Sequence, residues 1–416
     1  MDGIEQLLIT KNKEVVMISV GIDVAKGKST VCILKPYGEI ISKPFDIAHT
    51  EKDLNELSSM LLRFDDEVKV VMEATGIYHL PVLTYLQEKG IFVAVINPYL
   101  MKVYRSSDLR KAKTDKIDSR IIANYGIEHW FTMQEFQASE DIYSELRLLG
   151  QQYRHYMKLH IMSLHELIHL LDYTMPGIQG MLAGWNEGNR KDKLSDFVEL
   201  FWHYDMITAL NESEFIEQYK LWAKEKKYHQ SQDKAKAIYS VALNSIPTLS
   251  SDTPSVKMLV TEAVRVLKEV DATLSTILSR MQELAKTLPE YSVVREMGGV
   301  GDVLAPKLIA EIGDVRRFHS GKALIAYAGI DTPPYESGKY VGSNRKITKR
   351  GSALLRKVGY ETIRCIKSHP RPDDPVYQYI IKKEAEGKAK KAANIAGLNK
   401  FLRIYYARVK EVYANS

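Results

Sequence analysis

Cysteine is nearly absent from this chain. Its two copies, Cys32 and Cys365, lie far apart in 416 residues and in unlike contexts, which excludes a disulfide framework and a thiolate metal site. Both are expected to be reduced and structural. Long apolar runs are missing as well: nothing approaches the roughly 20 residues of a bilayer-spanning helix. The opening MDGIEQLLITKNKE has neither the basic start nor the continuous apolar stretch of a signal peptide. These absences predict a protein that stays in the cytoplasm and has no membrane partner.

What is present fits a folded protein of two or three domains, with 45% hydrophobic residues and charges of both signs. The net charge of +6 hides an asymmetry. From Ser337 to the end Lys and Arg far outnumber Asp and Glu, whereas the rest of the chain is acidic on balance. A basic C-terminal region of this kind points to a polyanionic partner, because phosphate neutralisation supplies most non-specific nucleic-acid affinity.

The first 130 residues alternate strand and helix signals. Strands are expected over 15–22, 29–35 and 39–47, the latter two about the turn Pro36, Tyr37, Gly38. A helix over 50–63, a strand over 67–73, a helix over 79–89, a strand over 91–96 and a helix from about 115 follow. Three leading strands and then α-β-α-β-α is the order of an α/β RNase H-like (RuvC-like) domain with a mixed sheet. From 138 the pattern changes to long helix. Ile142, Leu146, Leu149, Tyr153, Tyr156, His160, Leu164, Leu167 and Leu171 step by threes and fours, as do Ala263, Leu267, Val270, Leu274, Ile277, Met281, Leu284 and Leu288. These seams predict two coiled-coil arms that pair antiparallel or dimerise. Between them, residues 173–250 carry Trp185, Trp202 and Trp222 and read as a small helical insertion; Pro254 and Pro289 bound the second arm. The expected domains are therefore 1–130, 131–290 and a mainly α C-terminal part over 291–416.

Four acids occupy element ends. Asp23 closes the apolar run VVMISVGID, Glu73 closes VKVVMEATG, and Asp115 and Asp118 stand three apart in KTDKIDSR. A carboxylate at the end of a buried strand is uncommon. In an RNase H-like sheet the first and fourth strands are neighbours, so Asp23 and Glu73 would meet, while Asp115 and Asp118 would share a helix face. Hard oxygen donors in this number suit Mg²⁺, which takes a few carboxylates and leaves positions for water and phosphate. Singly, each acid is more often a cap or a solvated charge. The first strand and its loop, GIDVAKGKST, also resemble the first phosphate loop of sugar kinases and actin-like ATPases, but no second Gly-rich phosphate loop follows.

Two later segments carry further signals. In MGGVGDVLAPKLIAEIGD, Gly299 and Gly301 precede an apolar helix, as in a helix-hairpin-helix element that offers backbone N–H groups to a DNA phosphate; a plain helix start explains them equally well. Downstream, Ser337 lies in a Gly- and Tyr-flanked loop followed by Arg345, Lys346, Lys349 and Arg350. Read alone, a loop serine is a turn residue. The four cations and Lys113, beside the acidic pair, are candidate phosphate contacts.

Together these motifs resemble the transposases of the insertion sequence 110 family, relatives of the Piv-type DNA invertases. GIDVAKGKSTVCIL, MEATGIYHLPVLTYL, VINPYLMKVY and KAKTDKIDSRIIA match the family's DEDD domain, and MGGVGDVLAPKLIAEIGD, ALIAYAGIDTPPYESGK and ITKRGSALLRKV its C-terminal transposase domain. The resemblance covers roughly residues 14–130 and 290–410, with a longer stretch between the arms than a compact member needs. It implies that Asp23, Glu73, Asp115 and Asp118 bind Mg²⁺, and that Ser337, in YESG, attacks a DNA phosphodiester to give a phosphoserine intermediate. It also implies a homo-oligomer, dimer or tetramer, and a structured non-coding guide RNA that pairs with DNA. A metal-dependent junction resolvase or nuclease using water, and a non-catalytic nucleic-acid-binding protein, remain the alternatives.

Overall fold

The computed structural model describes residues 17–106, 114–137, 141–182, 192–332, 336–337, 340–341 and 346–415. The chain divides into two compact units, Met1–Ala138 and Ser139–Ser416.

The N-terminal unit is built on β1 (Met17–Val24), β2 (Lys28–Leu34), β3 (Ile40–Ala48), α1 (Glu51–Leu61), β4 (Glu67–Glu73), α2 (Leu80–Glu88), β5 (Phe92–Ile96), α3 (Pro98–Arg105) and α4 (Asp115–Glu128). The sheet order is β3-β2-β1-β4-β5. β1 runs antiparallel to β2 and parallel to β4, and β4 runs parallel to β5. This is the mixed sheet of an RNase H-like fold, as the element order predicts. β1 is central, and its Ile18, Val20 and Ile22 are fully buried with Val70 and Met72 of β4. Such strands read as continuous apolar runs because both faces are covered.

α4 lies unusually close to β1. A Cβ at Gly21 would overlap the Ser119 carbonyl and the Ala123 backbone, and one at Gly126 would overlap the Ser19 hydroxyl. The missing side chains let helix and strand approach backbone to backbone. That approach sets the height of the first turn of α4 over the end of β1. α3 is an element the sequence reading did not predict; Asn97 caps it through a hydrogen bond from the Tyr99 amide, with Pro98 at the first helical position.

The second unit is helical apart from one ribbon. α5 (Asp141–Thr174) is followed by α6 (Ile178–Leu182), α7 (Lys193–Leu200), α8 (Tyr204–Thr208), α9 (Glu212–Glu225) and α10 (Gln232–Asn244), then by α11 (Pro254–Lys286). α12 (Tyr291–Arg295), α13 (Leu304–Ile312), α14 (Gly321–Ala328), the strands β6 (Glu336–Ser337) and β7 (Tyr340–Val341), α15 (Ala353–Ser368), α16 (Pro375–Ala385) and α17 (Lys390–Ala414) complete it. α5 and α11 are the two arms. They pair antiparallel within the chain: Arg280 bonds Glu145 at 3.0 Å, and further along His160 Nδ1 lies 2.7 Å from Asp271 Oδ1.

Two cores flank this pair. One, formed by the far ends of the arms and α6 to α10, is rich in aromatics: Phe197, Phe201, Phe215, Tyr219 and Trp222. Helices α6 to α10 fall in the stretch 173–250, where Trp202 and Trp222 are buried; Trp185 lies outside the described residues. The other joins Tyr143, Leu146 and Tyr153 of α5 and Leu274 to Leu288 to the C-terminal helices. The base of the arms and the region expected as a separate C-terminal domain thus share one core. Among the described residues, no helix is long and apolar enough to cross a membrane.

Candidate active site

Asp23 and Glu73 stand at the same edge of the sheet. Ile22 and Met72 are register partners on the parallel strands β1 and β4, so the next residue of each strand carries its carboxylate to the shared end. α4 delivers the other two acids in its first turn, where Thr114 caps the helix by accepting from the Ile117 amide. Asp118 is buried and Asp115 largely exposed, so the two share a helix turn but not an environment.

The four acids act on one another. Burial first, then the carboxylates of Asp118, Asp115 and Glu73, push the Asp23 carboxyl up to about 6, with the Arg105 guanidinium opposing. Arg105, at the end of α3, has Nη2 3.2 Å from Glu73 Oε2 and Nε 3.7 Å from Asp118 Oδ1. Lys28 lies 3.8 Å from Asp115. Four carboxylates against these two cations leave two negative charges when all are ionised, which is what one divalent ion would balance. The donors are all hard oxygens, so their chemistry fits Mg²⁺ or Mn²⁺. Among the described residues, no three acidic, His or Cys side chains are gathered tightly enough to cage an ion as they stand. With Arg105 spanning Glu73 and Asp118, the cluster holds an internal counterion. The sequence reading missed Arg105, whose only local sign was a basic residue in the last turn of a Pro-started helix.

Ser337 lies in the second unit. The sequence reading placed it in a loop, whereas its backbone belongs to a short antiparallel ribbon in which Ser337 pairs with Tyr340. Both roots of this segment are pinned: Thr348 donates to Asp331 through its amide at 3.0 Å and its hydroxyl at 2.5 Å, and the Lys349 amide donates to the Gly329 carbonyl. Lys346, Lys349 and Arg350 are exposed on the non-regular segment that follows. Lys113 and Arg345 lie outside the described residues.

Gly299 and Gly301 stand in the turn between α12 and α13, beside a shallow cavity of about 440 Å³ with Arg295, His369 and Arg371. Gly299 has φ 71°, and a Cβ there would overlap Ile366 and the Thr362 carbonyl of α15. Packing against α15 therefore accounts for glycine at 299. A Cβ at Gly301 would meet nothing.

A family model described as a transposase, that of the DEDD domain of IS110 elements, matches residues 20–176, and the model for the IS116/IS110/IS902 transposase family matches residues 291–378. The chain carries both domains of the IS110-family transposases. Its relatives include the pilin gene-inverting protein of Moraxella bovis, 32% identical over 29% of this chain and 37% of that protein. The chain thus spans little more than a third of the length of that relative. An IS116 protein of Streptomyces clavuligerus is 21% identical over 89% of each chain, and the transposase of element IS1111A from Coxiella burnetii is 24% identical over 37% of this chain and 42% of that one. Among solved structures, Thermus thermophilus RuvC in complex with a Holliday junction substrate aligns at 13% identity over 29% of this chain and 99% of that one, with a TM-score of 0.23.

Proposed function

We propose that this protein is a DNA transposase or site-specific recombinase that breaks and rejoins DNA strands, using a divalent metal, Mg²⁺, at Asp23, Glu73, Asp115 and Asp118 and Ser337 as nucleophile. The observation that carries the reading is the convergence of the four acids on one sheet end, with Asp23 pushed up to about 6 by burial and its neighbours. Carboxylates are brought together against their mutual repulsion where a bound cation repays the cost. The presence of both IS110-family domains in the family's order supports the assignment of Ser337.

When bound, the metal would stabilise charge on the phosphate and the leaving oxygen. The chain's own residues do the rest. The Ser337 hydroxyl gives up its proton and attacks phosphorus; the Oγ–P bond forms, one P–O bond of the DNA breaks, and the released strand leaves as a hydroxyl. A DNA hydroxyl reverses these steps to join a new strand, so no external energy source is consumed. Asp23, whose carboxyl is pushed up to about 6 in the metal-free chain, would give up its proton when the metal binds. Lys113, Arg345, Lys346, Lys349 and Arg350 are proposed phosphate contacts, with the backbone at Gly299 and Gly301.

The resemblance extends the proposal to a homo-oligomer acting in the cytoplasm on the nucleoid, with a structured non-coding RNA specifying the DNA by base pairing. Incubating the protein with DNA and Mg²⁺ under denaturing analysis tests the core of it. Wild type should yield a covalent protein–DNA adduct, Ser337→Ala none while still binding DNA, and Glu73→Gln at least a hundredfold less by analogy with losses at other electrostatic sites. An adduct that survives Ser337→Ala would remove the serine and favour water-driven cleavage.

A further inference from the structure

We infer that a cleft at the root of the Ser337 segment, walled by α17, is a seat for the sugar–phosphate backbone of a nucleic-acid strand. The cleft measures about 900 Å³. Six cations line it: Lys346 and Lys349 from the non-regular segment after the Ser337 ribbon, Lys388 just before α17, Lys391 in its first turn, and Lys400 and Arg403 further along that helix. Among the described residues no Asp or Glu lines it. All six are exposed or, for Lys400, half-buried; Arg403 bonds Asn399 and Lys400 lies over Tyr379, and neither contact neutralises its charge.

Its apolar residues distinguish this cleft from a generic basic surface. Ile347, Ala392, Ile395 and Ala396 supply apolar area among the cationic groups. A free phosphate would meet the cations and leave that apolar area unused. A polynucleotide strand uses both, with phosphates on the cations and sugar edges on the apolar area. Base stacking is not what the cleft offers: its aromatic residue, Tyr379, already carries Lys400 over its ring at 5.0 Å and Lys383 at 5.4 Å. Recognition here is of the backbone and carries no sequence information.

The wall bearing Lys346 and Lys349 is tied to the chain at Asp331 and Gly329. Lys349 adopts φ 55°, unusual for a residue with a side chain, and is held there by its bond to Gly329. Because that wall is also the root of the Ser337 ribbon, a strand seated in the cleft is registered against the segment carrying the nucleophile. This assignment rests on the proposed function for the meaning of that register, but not for binding itself.

The test is nucleic-acid binding by the full-length protein in EDTA, where strand cleavage is silent. Binding of a mixed-sequence DNA duplex, the corresponding single strand and an RNA of equal length is measured against salt for wild type and for the triple variant Lys388→Gln, Lys391→Gln, Lys400→Gln. Loss of three phosphate contacts should lower the slope of log K against log salt by roughly 2 to 3 and weaken binding at low salt by more than tenfold. The ligand that shows the loss identifies the source, DNA or RNA. The triple Lys→Arg variant should retain affinity. Amine-reactive footprinting of wild type keeps the idea testable if the Gln variant does not fold: Lys388, Lys391 and Lys400 should react when free and be protected by at least one of the three ligands, the one that occupies the cleft. Unchanged slopes for all three ligands, or unprotected lysines, overturn the cleft assignment. Failure of the wild type to form a covalent adduct with DNA when Mg²⁺ is added, with binding intact, would instead count against the serine chemistry.

Discussion

Asp23 concentrates the chemistry of the N-terminal unit into one carboxyl. Its folded value, about 6, lies above that of a free aspartate, so between roughly pH 4 and 6 the folded chain holds a proton that the unfolded chain has released. By linkage, the metal-free unit therefore loses stability as pH rises through that window. Metal uptake should show the opposite trend, strengthening as pH rises through 6 with release of protons. Calorimetric titration with Mg²⁺ in buffers of different ionisation heat should show this, and Asp23→Asn should remove both the proton release and the acid-side stability slope. The acids themselves were legible because each closes an apolar run or opens a helix. Arg105 was not, since a lone arginine in a short helix carries no pattern; only the distance to Glu73 and Asp118 reveals it.

At the scale of elements, β1 and β2 read cleanly because their burial is nearly continuous, whereas the arms read only approximately. Apolar stepping placed Val270 and Ile277 in the seam, and both prove half-buried; the deepest stripe of α11 runs through Val264, Leu267, Asp271, Leu274 and Leu278. An aspartate cannot be found by an apolar criterion, yet Asp271 meets His160 across the pair and gives α5 and α11 a polar register mark. The ribbon around Ser337 escaped for a different reason: strands of two residues are shorter than any alternation that could announce them. The contact that positions the acids is also silent in the sequence, because a glycine in a strand has several readings. Gly21→Ala should force α4 off β1, destabilise the N-terminal unit by about 1–3 kcal/mol and weaken Mg²⁺ binding through Asp118. Gly180→Ala, where a Cβ meets nothing, should leave stability nearly unchanged. Thermal melting and metal titration of the two variants check the contrast.

At the scale of the molecule, the two units differ in how their cores are assembled. The sheet completes its own core within the N-terminal unit, with Met101, Ile122 and Ala123 packed on the face that α4 covers. The larger core of the second unit draws Tyr143 and Leu146 together with Leu398, Phe401, Leu402, Tyr405 and Val409 of α17, the last helix. Removing α17 by a stop after Ala389 should leave the sheet protease-resistant while the second unit loses its cooperative melting transition, as limited proteolysis with mass spectrometry would record. Synthesis from the N-terminus then imposes a sequence in time, because domains fold as they emerge. The ribosome releases a finished sheet while the scaffold of the Ser337 ribbon still awaits its final helix. A broken message or a stalled ribosome therefore yields a chain whose acids are in place and whose serine segment has no support.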